Sequence, residues 1–197
     1  MVQAVSNNVF LKAVALMDDD VWNGDGRGAE RAQTMLDAIR DLPLATVTED
    51  AQALYWQIDN VAVIQGSLFP AGPKILPGLV GGLFLSTQVS RPFLLEAIYQ
   101  VAAGWPDPQL SIYERERIQT DMVRLVAGVT WYFIYLIVHG SDEEALHAVD
   151  LLALIITAPR RLPIVTPIND QELNVLLEGL KALNPHRHDD LSSAIAD

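Results

Sequence analysis

Three capping boxes constrain what this chain can fold into more than any other feature of its sequence. Ser111-Ile-Tyr-Glu114, Ser141-Asp-Glu-Glu144 and Asn169-Asp-Gln-Glu172 each set a side-chain acceptor three residues ahead of a glutamate, at the head of an apolar-periodic run. In such a box the first residue accepts a bond from an orphan backbone N–H. The glutamate reaches back to the first residue's own N–H, and its charge complements the positive end of the helix dipole. With the Pro/Gly punctuation between them, these starts predict eight helices near residues 7–18, 28–41, 49–69, 74–86, 91–104, 112–139, 142–158 and 170–183. No sustained period-two alternation marks a strand. The β-branched run Leu162-Pro-Ile-Val-Thr-Pro167 is broken by prolines toward both ends and reads as an extended connector. The expected fold class is all-α.

Periodicity assigns faces to these helices. From Glu49 onward, Leu54, Ile58, Val61, Gln65 and Leu68 fall on one stripe, which is expected to face the core. The opposite side carries Trp56, Asp59, Asn60, Val63 and Ser67. Such a mixed aromatic and polar strip either meets a partner or packs beneath a neighbouring helix. Segment 112–139 differs, because after Arg124 it is apolar around almost its whole circumference: Val126, Val129, Trp131, Phe133, Ile134, Leu136 and Ile137. It is expected to be the most buried helix, with Gly128 either bending it or admitting another helix closely, and Gly140 stopping it after His139. Successive helix pairs, spaced roughly 45 to 50 residues apart, suggest antiparallel pairs stacked as in HEAT-type repeats. The pairs share little sequence, so a compact helical bundle is the alternative. The helices are expected to form a single domain ending at residue 183, and the polar tail 184–197, with Pro185, His186 and His188, is expected to fray.

Composition narrows function. At 197 residues and 50% hydrophobic content, the chain can bury a core without staples. It has no cysteine, which removes disulfides, thiolate metal sites and thiol nucleophiles together and fits a cytoplasmic setting. A formal charge of −12 disfavours a nucleic-acid backbone or an anionic membrane as partner and suits a basic protein, though acidity also serves solubility. The N-terminus lacks the basic region of a secretory signal, and Lys12 interrupts its apolar run. The most apolar stretch, Leu125 to Val138, falls short of the roughly 20 residues that span a bilayer.

Candidate chemistry is sparse. Glu144-Ala-Leu-His147 has the Glu-x-x-His spacing of a di-iron helix, but the second such motif and the two further glutamates are missing, and Glu144 is already a capping glutamate. A calcium loop with its Asp-Gly pair at Asp25-Gly26 would begin at Val21 and need a glutamate at Ala32, so its ligand set is broken at both ends. Gly24, Gly26 and Gly28 follow no strand, which leaves a phosphate loop unsupported. His139 and His147 read as helix-end or core residues. No catalytic residue, metal or cofactor is therefore expected. The acidic run Asp18, Asp19 and Asp20, with Trp22 and Asp25, forms the second candidate contact patch beside Trp56, Asp59 and Asn60.

The segment from Asp59 to Leu79, DNVAVIQGSLFPAGPKILPGL, resembles the central helix pair of HEAT-like repeat proteins from bacteria. In that group a polar-Gln-Gly-Ser/Thr-aliphatic-aromatic helix end precedes a small-residue turn and an aliphatic-Pro-x-Leu helix start. The resembling part covers about residues 49–104; Ile64 stands where the pattern has a histidine, and the other helix pairs lack the motif. Such proteins are similar to immunity proteins of polymorphic toxin systems, which bind and neutralise a cognate toxin. The resemblance implies an immunity protein that blocks a toxin by occlusion, without turnover, and the acidic charge suits a basic one. The alternatives are a general helical scaffold or adaptor and, from the enzyme class, a helical metal enzyme using Glu144, His147 and His139.

Overall fold

The computed structural model describes residues 26–64, 66–68, 72–161 and 170–196, and over these the chain is all-α apart from one short hairpin. The expected helix at 7–18 and the connector at 162–167 lie outside the described residues. The chain divides into two compact units, residues 1–118 and 119–197.

In the first unit α1 (Gly26–Asp41) runs into a 3-10 turn at Leu42–Leu44, where Pro43 ends the helix. α2 (Thr48–Ala62) then carries Glu49 and Asp50 in its first turn, where they complement the dipole. α3 (Gly72–Leu83) and α4 (Arg91–Ala103) follow, with α2 packed on α1 and α4, and α3 packed on α4 and α1. Met35, Ile39, Leu42, Ile58, Leu76 and Leu94 fill the centre.

Two expectations for α2 are corrected. Its buried stripe is Ala51, Tyr55, Ile58 and Ala62, so Ile58 is shared with the expected stripe while Leu54 and Val61 are half-buried. The helix also stops at Ala62 rather than continuing to 69. Val63–Ile64 (β1) and Ser67–Leu68 (β2) pair antiparallel, with Gly66 at φ 79° in the loop between them. A positive φ suits glycine and would strain a helix, so Gly66 turns the chain. Trp105 then pins the hairpin: the Leu68 N–H donates to its carbonyl at 2.7 Å, and its own N–H donates to Gly66 O at 2.8 Å.

α5 (Ile112–Ala127) crosses the boundary between the units. The long helix expected over 112–139 breaks after Ala127, and α6 (Thr130–His139) leaves at 54° to α5. Bending is one of the two roles open to Gly128 in the sequence. The turn tightens through Val129 N–H to Val126 O at 3.1 Å and Thr130 Oγ1 to Ala127 O at 2.8 Å. Nor is this segment buried all round. α6 is ten residues long and packs along α7 (Asp142–Arg161) through Phe133, Leu136 and Ile137, while Trp131 and Tyr135 are 61% and 53% exposed. A short helix laid on one neighbour buries one stripe, however apolar the rest. Among the described residues no single helix is long and apolar enough to cross a membrane; α5 and α6 together pass by length and composition, but bent.

Two of the three capping boxes form as spaced. Ser111 N–H donates to Glu114 at 3.0 Å and Glu114 N–H to Ser111 Oγ at 3.3 Å; the pair at Ser141 and Glu144 measures 2.7 and 3.2 Å. Asn169 lies outside the described residues. Gly140 has to be glycine for the second box to close, because a Cβ there would sit 2.5 Å from Leu136 O and 3.1 Å from Glu144 Oε2.

After α8 (Asp170–Leu183), the tail expected to fray is a helix, α9 (Pro185–Ala196). Asn184 Oδ1 caps it by accepting from Arg187 N–H at 3.3 Å, Pro185 occupies the first turn, and Leu191 and Ile195 bury their side chains. α9 packs on α7 and α8, and Arg187 pairs with Asp142 at the start of α7. These contacts supply the burial that a polar sequence lacks by itself.

Candidate functional site

The partner strip lies on α2, in the first unit. Trp56 is 47% exposed, and Asn60 donates from Nδ2 to the Trp56 carbonyl at 2.8 Å, so the exposed indole stands on a locally braced turn. Packing beneath a neighbouring helix, the other possibility for Trp56, is not what the structure has. One residue nearer the core, Tyr55 places its ring 5.1 Å from that of Trp56, edge to face, and 6.2 Å from that of Phe93 on α4.

Asp59, one helical turn beyond Tyr55, accepts the phenol's hydrogen bond and faces Glu96 across from α4. Glu96 in turn accepts from Gln100 Nε2 at 2.6 Å. Partial burial, then the like charge of Glu96, push the Asp59 carboxyl above its usual range, against the lowering effect of the Tyr55 bond. The Tyr55 phenol is pushed up too, first by burial and then by the two carboxylates. The strip is thus an exposed indole beside a half-buried pair of like charges. What this arrangement can do is receive a cation, which would relieve the repulsion between the carboxylates and find an aromatic face next to them.

An acid with a raised folded-state pKa contributes stability that is fully present below the unfolded value, near about 4. That stability is lost as pH rises through the folded value. Ionised Asp59 therefore weighs against folding at neutral pH. Asp59→Asn, which can still accept from Tyr55, is expected to stabilise the chain at pH 7 by a few tenths of a kcal/mol, roughly, once solvent screening is allowed for. The gain should vanish near pH 4 in urea titrations; a loss of stability at pH 7 would contradict the geometry.

Asp18, Asp19, Asp20, Trp22 and Asp25 lie outside the described residues, and of the two candidate patches the described residues hold the strip formed by Trp56, Asp59 and Asn60. Sequence reasoning missed Tyr55, Phe93 and Glu96. The Tyr55–Asp59 spacing of four was visible, whereas the α4 residues join only through tertiary packing. Among the described residues no group of three or more His, Asp or Glu side chains is placed to hold a metal. Glu144 spends a carboxylate oxygen on Ser141 N–H. Comparison of the chain with protein-family models, with curated proteins and with solved structures finds no match.

Proposed function

We propose that this chain is an immunity protein, which binds a basic cognate toxin and neutralises it by occlusion, without turnover. The observation that carries the reading is the α2 strip: exposed Trp56 beside Asp59, whose neighbouring charge is another carboxylate rather than a cation. A carboxylate that disfavours folding at neutral pH is the kind of group kept for binding, since stability and function trade against each other at such sites. The net charge of −12 supports the same partner class, because it would steer a basic protein toward the chain. A helical scaffold of this kind would block by covering, and the resemblance of residues 49–104 to HEAT-like repeat proteins, themselves similar to immunity proteins, points the same way.

The test is capture from the native cell with the tagged chain, followed by mass spectrometry. The expected result is one dominant basic protein in equimolar yield, harmful to cells when expressed without this chain. A stoichiometric partner that is acidic or harmless would overturn the reading.

A further inference from the structure

A second feature of the first unit has no place in the strip. Between the end of α1 and the flank of α2 lies an open groove of about 460 Å³. One wall is Asp41, Leu44 and Ala45; the other is Asp50, Ala53, Leu54 and Gln57. Leu44 is 63% exposed over it, and Leu54 is half-buried in its side.

The first wall is fixed in place from behind. Thr87 Oγ1 donates to Ala45 O at 2.5 Å, Ser90 Oγ donates to Pro43 O at 2.9 Å, and Thr87 N–H donates to Pro43 O at 3.2 Å. Ser90 is fully buried in doing so. The exposed Leu44 is therefore held outward by a braced turn, and the groove exists before anything enters it, which removes an ordering cost from binding.

Its charge is one-sided. Asp41 and Asp50 are both exposed and make no ion pair or side-chain hydrogen bond with a described residue, and among the described residues no lysine or arginine lines the groove. Arg40, beside Asp41 in sequence, is engaged with Asp37 at 2.9 Å. A groove with apolar Leu44, Ala45, Ala53 and Leu54 beside two carboxylates that no described lysine or arginine pairs matches a side chain with an aliphatic stem and a cationic head. Arginine fits better than lysine, because its planar, weakly hydrated guanidinium can bond two acceptors at once while the stem lies on Leu44 and Leu54.

We propose that this groove seats an arginine side chain of the basic protein partner, with Asp41 and Asp50 holding the guanidinium. This rests on the reading of the chain as a binder of a basic protein, and adds a second anchor apart from Trp56.

The test is an NMR titration of the purified full chain with acetyl-arginine amide, and with acetyl-norleucine amide as the apolar control. The arginine probe is expected to shift amides within 41–57 saturably, with a dissociation constant on the order of millimolar. The Asp41→Asn/Asp50→Asn variant, exposed at both positions and so expected to fold normally, should weaken it about fivefold or more, and Asp50→Glu alone should retain it. Equal binding by the double variant, equal shifts with the norleucine probe, or shifts scattered outside this segment would each overturn the groove. Because the titration needs only the chain and a synthetic probe, its failure is separate from a failure to capture a toxin.

Discussion

Truncating Phe133 to alanine is expected to destabilise the second unit by about 3–5 kcal/mol. Phe133 is fully buried at the centre of the α6 stripe that packs on α7, and shares that stripe with Leu136 and Ile137. Removing the ring loses its transfer free energy and leaves a cavity that two helices joined by a short turn can close only in part. Such a loss approaches the whole stability of an ordinary domain. Trp131→Ala, two residues earlier on the same helix, removes a larger ring yet should change stability by about 0.5 kcal/mol or less, because Trp131 is largely exposed. Urea unfolding of the two variants, followed by circular dichroism, reads the contrast. Comparable losses would mean that α6 is buried all round, as its composition alone suggests.

The second large effect is on binding. Trp56→Ala is expected to weaken the proposed toxin complex by about 2 kcal/mol or more, roughly thirtyfold, while leaving the fold intact. Exposed tryptophans inside a protein interface are its usual anchors, and Trp56 has Tyr55 and Phe93 behind it and Asp59 beside it. Trp131→Ala is the internal control, since it deletes a still more exposed indole in the other unit and is expected to leave affinity unchanged. If calorimetry showed the reverse, the contact face would move from α2 to α6.

Helix starts were the most legible part of the fold. Ser111 and Ser141 each announce a helix through local chemistry that operates over three residues, and both boxes close in the structure. What the sequence hides is whatever depends on a neighbour. Periodicity places an apolar stripe on α2, but α1 and α4 decide which flank is covered, and the buried face rotates toward Tyr55 and Ala62. Residues 125–138 look buried all round because composition cannot say how many helices will pack against them. The tail at 185–196 looks polar and frayed because Leu191 and Ile195 gain their burial from α7 and α8. Two local signals were present and outweighed: Gly66 between β-branched and polar residues marks the hairpin, and Asn184-Pro185 is a helix start.

The same division holds for the site. Trp56, Asp59 and Asn60 could be named from one helical face, since they follow one another along α2. Glu96 could not, because nothing in the sequence near residue 96 refers to α2, and it is Glu96 that gives Asp59 its like-charged neighbour. The braced groove at Asp41, Leu44 and Asp50 was equally hidden, since its rigidity comes from Thr87 and Ser90, far along the chain.

Neutralisation by occlusion, as proposed, is read out by one titration: the captured toxin's activity, measured against increasing amounts of this chain. Activity should fall linearly to zero at an equimolar ratio, with the toxin's mass unchanged and its activity restored on separation. Inhibition that is complete at a small fraction of equimolar chain, or that survives separation, would show turnover and contradict the account.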